Sequence, residues 1–138
     1  MNPFRSVTNA DERNIHDICY GCGSDSMKRT HAYLRRAVNL AETSGVPIVY
    51  ETNGDAFYLA TVARDHLRLI ALAVIENAQG NGVGSAAVRR LKQIAVSIGK
   101  HRITLRTSMR ERGKDFWLKQ RARIVGVKGE DFEMELVF

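Results

Sequence analysis

Apolar positions recur at helical spacing along the first third of the chain. A helix from Ala10 to about Tyr20 is predicted by apolar residues that share one face, namely Ile15, Ile18, Cys19 and Cys22. Asn9, with Glu12 three residues later, is a capping pattern at the start of this helix. A second helix is predicted by the apolar stripe from Met27 to Ala41, and Gly45 ends it.

From Val46 onward the apolar period becomes that of β-strands. Three antiparallel strands are predicted, namely Pro47 to Glu51, Ala56 to Ala63 and Leu67 to Val74. Asn53 and Gly54 form a dipeptide typical of a hairpin turn between the first two strands. Strict alternation in the third strand places one set of residues together, namely His66, Arg68, Ile70, Leu72 and Val74. The opposite face then carries Leu67, Leu69, Ala71 and Ala73.

Helices and strands alternate in the rest of the chain. An amphipathic helix is predicted from Ser85 to Ile98, and a strand from His101 to Thr107. Ser108 and Glu111 have the spacing of a capping box for a helix that runs to about Gln120. A last strand region follows from about Arg123 to Phe138. The order β-α-α-β-β-β-α-β-α-β predicts one α/β domain over residues 1–138, with a mixed, mostly antiparallel sheet flanked by helices.

Length and composition agree with a single globular domain. At 138 residues the chain is long enough for one hydrophobic core and too short for two ordinary domains. No apolar run reaches the roughly 20 residues that a membrane span needs. Met1 to Thr8 carries no apolar segment of the kind found in secretory signals. We therefore expect a cytoplasmic protein that does not associate with a membrane.

The chain is basic, and its positive charge is concentrated in the C-terminal half. The formal net charge is +6, with a calculated pI of about 9.7. An anionic partner is therefore expected, either a phosphate-bearing cofactor, an acidic substrate or nucleic acid. Charge alone does not choose among these partners. A solvated face, together with attraction for cofactor phosphates, is the simpler interpretation.

A glycine-rich turn connects the third predicted strand to the following helix. The turn is Gln79-Gly80-Asn81-Gly82-Val83-Gly84, between Leu72-Ala73-Val74 and Ser85-Ala86-Ala87. Such a turn exposes backbone N–H groups at a helix N-terminus, where the helix dipole also favours a phosphate. Two other phosphate motifs do not fit, because a P-loop needs Lys at Gly84 and the dinucleotide fingerprint needs Gly at Ser85.

This turn resembles the motif of the Gcn5-related N-acetyltransferases (GNAT), Gln/Arg-x-x-Gly-x-Gly/Ala between the fourth strand and the next helix. The order of elements also resembles that family along essentially the whole chain. The resemblance implies that backbone amides hold the pyrophosphate of coenzyme A at Gln79, Gly80, Asn81, Gly82, Val83, Gly84 and Ser85. It further implies that the backbone of Leu72, Ala73 and Val74 pairs with the pantetheine arm and polarises the acyl carbonyl.

The resemblance weakens where the family carries its proton-transfer groups. Aligned on the aromatic pair of the family's C-terminal motif, Trp117 stands where the family often has a Tyr that protonates the thiolate. An indole N–H does not supply a proton at useful pH. Packing in the core is the simpler role for Phe116 and Trp117. In the same alignment, Arg121 and Ala122 replace the family's Gly-Phe.

No residue stands out as the general base. Arg68 occupies the position where the histone-acetylating branch has Glu. His66 and Glu51 are the candidates, since either side chain accepts a proton at or below neutral pH. Each is equally well explained as a solvated surface residue. In addition, His66 would lie roughly 26 Å from Val74 along a straight strand, which argues against direct proton transfer beside Val74. An amine that loses its proton to bulk water is the remaining alternative.

Cys19 and Cys22 form a C-x-x-C pair with His16 and His31 nearby in sequence. Zinc or redox chemistry is the weaker interpretation, because a single pair lacks the second half of a zinc module. Two small thiols on a packed helix face are commoner, so we expect no metal. By resemblance, the segment from Tyr20 to Ser26 borders the acceptor site.

The resemblance implies an acyl-CoA-dependent N-acetyltransferase that moves an acetyl group from acetyl-CoA to a primary amine by direct attack. A small amine, a polyamine, a peptide N-terminus and a lysine all remain open as acceptors. Two alternatives also remain, a divergent protein of this fold that modifies or binds nucleic acid, and a catalytically impaired acyl-CoA-binding module. A homodimer is conceivable if the apolar alternation at Phe132, Met134, Leu136 and Phe138 pairs between chains.

Overall fold

The computed structural model describes the backbone of residues 1–138 and every side chain except that of Tyr33. Its helices are α1 (Glu12–Tyr20), α2 (Asp25–Ser44), α3 (Val83–Ser97) and α4 (Gly113–Lys119). Its strands are β1 (Arg5–Ser6), β2 (Ile48–Thr52), β3 (Ala56–Val62), β4 (Leu67–Val74), β5 (Arg102–Ser108), β6 (Arg123–Lys128) and β7 (Asp131–Val137).

All seven strands belong to one sheet with the order β1-β2-β3-β4-β5-β7-β6. Every neighbouring pair is antiparallel except β4 and β5, which are parallel and connected through α3. The expected fold class, an α/β domain with a mixed and mostly antiparallel sheet flanked by helices, is therefore confirmed.

The C-terminal strand region differs from the prediction. We expected one strand from Arg123 onward, but β6 and β7 form a hairpin that turns at Gly129, where φ is +60°. The apolar alternation does not mark an interface between chains, because Met134 and Leu136 are buried in this chain's own core. Phe132 and Phe138 pack against the same core.

Both predicted capping patterns are also wrong in detail. At the N-terminus the reciprocal box is formed by Thr8 and Asp11, one residue before the predicted pair, and a short 3-10 turn precedes α1. Glu111 does not cap α4, which begins two residues later at Gly113. Its carboxylate instead accepts a hydrogen bond from Ser26 of α2, 85 residues away in sequence. Long-range partners of this kind leave no local signal.

The helices cover the sheet unevenly. α1 and α2 pack on β3 and β4 over an apolar cluster that includes Ile18, Leu34 and Phe57. α3 and α4 pack on the opposite face, and their cluster extends under β5 and β7 through Leu91, Trp117, Ile103, Met134 and Leu136. No helix among the described residues is long and apolar enough to cross a membrane.

A β-bulge in β4 changes which residues share a face. Leu59 of β3 pairs with Ala71 while Ala60 pairs with Leu69, so Ile70 is an extra residue without a partner on β3. Leu67 and Leu69 lie in the core under α3, whereas Ala71 and Ala73 lie under α1 and α2. The predicted single face for Leu67, Leu69, Ala71 and Ala73 is therefore wrong, because strict alternation assumes a regular strand.

Candidate functional site

The two parallel strands at the centre of the sheet separate soon after they meet. β4 and β5 pair only at Leu67 with Ile103 and at Arg68 with Thr104. Beyond those pairs the described backbone of β4, from Leu69 to Val74, has no strand partner on its β5 side. The result is a wedge whose β4 wall offers free backbone N–H and C=O groups to an extended ligand. We use the term wedge for this gap below.

The N-terminus of α3 lies directly after β4 and is not capped by a side chain. Gly82 is the N-cap, with φ of +81°. As a glycine it has no side chain that could accept a hydrogen bond from the first turn of α3. The N–H groups of Val83, Gly84 and Ser85 precede the first intrahelical bond, which Ala86 donates to Gly82 O over 2.9 Å. These donors and the helix dipole form an environment suited to a phosphate.

Gly80 and Gly82 both adopt the left-handed backbone conformation, with φ of +83° and +81°. A Cβ atom at either position would meet no other atom within 4 Å, so open space lies against the backbone there. We call the predicted phosphate site from Gln79 to Ser85 the cradle. It has the two properties that a pyrophosphate site requires, exposed backbone amides and room for the phosphates to approach the backbone closely. This local geometry fits coenzyme A.

Gly84 is required for a different reason. A Cβ at this position would lie 2.8 Å from Cε1 and 3.1 Å from Cζ of Phe116, so α3 approaches α4 too closely for any side chain. Ser85 strengthens the same contact, because its Oγ accepts a hydrogen bond of 3.0 Å from Nε2 of Gln120. The sequence pattern assigned Gly84 to phosphate approach and did not reveal this packing role.

The Gln79 side chain ties the glycine turn to its surroundings. Its Nε2 donates to Val74 O over 2.9 Å and to Cys22 O over 2.8 Å. The backbone N–H of Glu76 also donates to Gly21 O over 2.7 Å. The segment between α1 and α2 is therefore fixed to the strand-to-helix loop that forms the cradle. Gln79 positions the turn with its side chain, a role the backbone-based prediction did not include.

The beginning of α2 is also attached to the opposite side of the wedge. Ser26 Oγ donates to Glu111 Oε2 over 2.5 Å, and Ser26 N–H donates to Oε1 over 3.4 Å. Burial opposes ionisation of Glu111, but hydrogen bonds from Ser26 and Ser24 hold its pKa below the ordinary value. The segment from Tyr20 to Ser26 therefore contacts both sides of the wedge mouth.

His66 lies in the turn before β4, at the opposite end of that strand from the glycine turn. Its Nδ1 is 2.6 Å from Asp65 Oδ1 and 3.3 Å from Arg102 Nη2. At a rise of about 3.3 Å per residue, His66 is roughly 26 Å along β4 from Val74. The structure therefore does not bring His66 near the α3 N-terminus.

Glu51 lies on β2 and is buried beneath α3. Its carboxylate accepts hydrogen bonds from the Tyr58 hydroxyl and from Nε of Arg90, the latter over 3.3 Å. Burial, followed by the hydrogen bond to Glu51, raises the pKa of Tyr58. β3 separates β2 from β4, so Glu51 is about two strand spacings, roughly 10 Å, from the wedge wall. Both of its carboxylate oxygens therefore already accept hydrogen bonds within the fold.

Trp117, Cys19 and Cys22 pack in or against the hydrophobic cores. The Trp117 side chain is buried in the core under α3 and meets Phe116 edge to face, with 5.1 Å between ring centroids. Burial, with a smaller contribution from Cys22, raises the pKa of the Cys19 thiol to about 12. Burial likewise raises the pKa of the Cys22 thiol. Among the described side chains, no three His, Cys, Asp or Glu residues are grouped to hold a metal.

A splayed pair of parallel strands with an uncapped helix N-terminus at its mouth defines an acyl-CoA-dependent acyltransferase fold. The chain belongs to the acetyltransferase (GNAT) family, whose model matches residues 21–120. The resemblance seen in the glycine motif is thereby confirmed. The protein is an N-acetyltransferase, and acetyl-CoA is its co-substrate.

Solved structures share the whole architecture at low sequence identity. The PaiA N-acetyltransferase from Thermoplasma acidophilum, in complex with coenzyme A, superposes with a TM-score of 0.81 at 13% identity, covering 99% of this chain and 98% of that one. The ribosomal-protein-S18-alanine N-acetyltransferase from Escherichia coli gives 0.73 at 18% identity, with 99% and 94% covered. Ard1 from Thermoplasma volcanium gives 0.76 at 16% identity, with 98% and 96% covered. No curated protein sequence matches the chain.

Proposed function

We propose that the protein transfers an acetyl group from acetyl-CoA to a primary amine inside the wedge. The observation that carries this proposal is the meeting of two features at one place, the free edge of β4 and the uncapped N-terminus of α3. The pyrophosphate is held by backbone amides between Gln79 and Ser85. The pantetheine arm pairs with Leu72, Ala73 and Val74, so that the thioester lies deeper in the wedge.

The reaction needs a neutral amine, donors for the developing oxyanion and a proton for the departing thiolate. The free N–H groups of β4 are fixed by the sheet, so they stabilise the oxyanion without reorganisation. His66 and Glu51 are both engaged within the fold, His66 by Asp65 and Arg102 and Glu51 by Tyr58 and Arg90. The amine therefore loses its proton to water and water returns a proton to the departing thiolate, so catalysis relies mainly on orientation of the two substrates.

Titration calorimetry with acetyl-CoA tests the cradle. Gly82→Asp places a carboxylate at the α3 N-terminus and should lower acetyl-CoA affinity by more than about 10-fold, because it repels the phosphates. Gly99→Asp is the matched control, since Gly99 also has a positive φ of +76° and open space, but follows the other end of α3. Wild-type protein that shows no heat with millimolar acetyl-CoA would end the proposal.

A turnover screen with small amines, polyamines, peptide N-termini and lysine peptides then identifies the acceptor class. Release of free thiol from acetyl-CoA that depends on an added amine is the expected result. Acetyl-CoA binding without turnover on any of these amines would instead favour the binding-module alternative.

A further inference from the structure

The sheet has an open polar face next to the wedge. Ile103, Leu105, Met134 and Leu136 point into the core under α3 and α4, so the alternate residues of β5 and β7 point the other way. On that side of the sheet α1 and α2 pack over β3 and β4, but Arg68 at the start of β4 remains exposed. We call the uncovered surface the open face; strand register places on it Arg68, Arg102, Thr104, Arg106, Arg123, Glu133 and Glu135.

Two arginines of the open face are neutralised within the fold. Glu135 is largely buried between Arg102 and Arg123, and Arg102 Nη1 is 3.3 Å from its carboxylate. Hydrogen bonds from Arg123, then from Arg102, lower the pKa of Glu135. Arg102 also contacts Asp65 Oδ1 at 3.3 Å. These groups form a closed network at the end of the face that carries His66.

Arg68 and Arg106 have no such partner. Both are exposed, and neither makes a salt bridge or a side-chain hydrogen bond to any described residue. Glu133 is the cross-strand neighbour of Arg106, yet no salt bridge joins the two side chains. One acid beside two unpaired arginines leaves this part of the face positive.

Strand register places these two arginines at the apex of the wedge. Arg68 is the last residue of β4 that pairs with β5, and Arg106 lies on β5 two residues beyond its partner Thr104. Neighbouring strands are about 4.8 Å apart and two residues rise about 6.6 Å, so the two Cα atoms are at least roughly 8 Å apart. Two flexible guanidinium groups at this separation can converge on one anionic group.

We propose that Arg68 and Arg106 bind an anionic group on the acceptor, which is therefore a small primary amine that carries a carboxylate or a phosphate. This inference rests on the proposed function. Acetyl-CoA uses the side of the wedge where α3 lies, so the acceptor approaches the thioester from the open face. The positive charge also favours the neutral form of the attacking amine, which is the reactive form. It disfavours acceptors with several positive charges, such as polyamines.

Matched amines test the proposal. Wild-type kcat/KM is measured for γ-aminobutyrate against n-butylamine, for phosphoethanolamine against ethanolamine, and for cadaverine. We expect the anionic member of at least one pair to be preferred by about 10- to 100-fold, the range for a charge-assisted hydrogen bond. The two pairs distinguish a carboxylate from a phosphate. Arg68→Gln and Arg106→Gln should each remove that preference and leave acetyl-CoA affinity unchanged.

Arg13→Gln is the control for lost net charge, because Arg13 is an exposed residue of α1 on the other half of the sheet. The anionic-acceptor proposal would be overturned if wild-type kcat/KM were equal for the amines with and without an anionic group, or if it were highest for cadaverine. Binding of a duplex oligonucleotide that falls steeply with salt and weakens in Arg68→Gln and Arg106→Gln would overturn it in favour of a nucleic-acid surface. Absence of acetyl-CoA binding would instead remove the proposed function itself.

Discussion

Ser26 and Glu111 hold the two halves of the splayed sheet together. Ser26 belongs to the first turn of α2, which packs on the β3 and β4 side, whereas Glu111 lies in the loop after β5. The hydroxyl of Ser26 donates to the Glu111 carboxylate over 2.5 Å. This hydrogen bond therefore joins the two sides of the wedge mouth and fixes the start of α2, which we expect to border the acceptor.

We predict that Ser26→Ala and Glu111→Gln raise KM for the acceptor more than they lower kcat, by roughly 10-fold, because each loses a charge-assisted hydrogen bond of about 1.5 kcal/mol. Acetyl-CoA affinity should change little, since Gln79 and Glu76 still fix the cradle side. Hydrogen exchange of residues 21–28 should become faster in both variants, and steady-state kinetics with each substrate varied separately measures the effect on KM.

Glu130→Gln is the control, since Glu130 forms an exposed ion pair with Arg110 in the same region of the chain. The low pKa of Glu111 also fixes the sign of a pH effect. A carboxylate whose folded pKa is depressed stabilises the fold above its unfolded pKa, and that stability is lost as pH falls. The stability difference between wild type and Glu111→Gln should therefore shrink below about pH 4. A difference that grows on acidification would contradict this assignment.

Gly84→Ala should destabilise the protein through the Phe116 ring, which lies 2.8 Å from the new methyl group. Overpacking of this kind costs about 1–3 kcal/mol, measurable by denaturant unfolding. Phe116→Leu should cost stability by itself but recover part of the loss in the double variant, giving a favourable coupling energy. Additive losses would show that Gly84 is needed for some other reason. Gly82→Ala, which meets no atom within 4 Å, should not be rescued by Phe116→Leu.

Arg121→Gly should stabilise the protein. Arg121 follows α4 with φ of +70°, and it is the one non-glycine residue with positive φ in the described backbone. A left-handed conformation costs an ordinary residue about 1 kcal/mol relative to glycine, which corresponds to a rise in melting temperature of roughly 3 °C. Lys119→Gly, inside the last turn of α4, should have the opposite effect. A lower melting temperature for Arg121→Gly would mean that its side chain makes a contact worth more than the strain.

His66→Gln should leave the pH profile of kcat/KM unchanged once an acceptor is known. The reason is its position, since His66 contacts Asp65 and Arg102 at the far end of β4. A general base at this position would give a loss of about 100-fold or more and remove an ionisation from the profile. That outcome would return His66 to the catalytic candidates. Asp65→Asn is a suitable control for disruption of the local network.

Much of the fold was accessible from the sequence, because local patterns decide it. Helical stripes, the Asn53-Gly54 turn and strand alternation each report on a few neighbouring residues, and the structure confirms the elements they predict. The turn after β4 was equally accessible, since Gly80 and Gly82 adopt positive φ. The hairpin between β6 and β7 was missed because apolar residues continue on both sides of Gly129.

The rest depends on partners that are distant in sequence. Ser26 and Glu111 are 85 residues apart, and Gly84 meets Phe116 across two helices. Single-sequence periodicity carries no information about such pairs. The positions of His66 and Glu51 also required the sheet order, because that order decides which residues surround the wedge.

The extra residue Ile70 divides β4 into two half-strands. The alternation of side chains between the two faces of the sheet shifts by one residue from the first half to the second. The first half contributes large side chains to one core, and the second half contributes alanines to the other. Deleting Ile70 would therefore remove the bulge and leave both halves facing their present cores, because Leu69 and Ala71 would then pair as consecutive residues with Ala60 and Leu59. A regular strand that kept Ile70 would instead turn the second half over and place Leu72, not Ala71 and Ala73, beneath α1 and α2. Homologues aligned across this strand can be compared side chain by side chain only if that single-residue offset is kept.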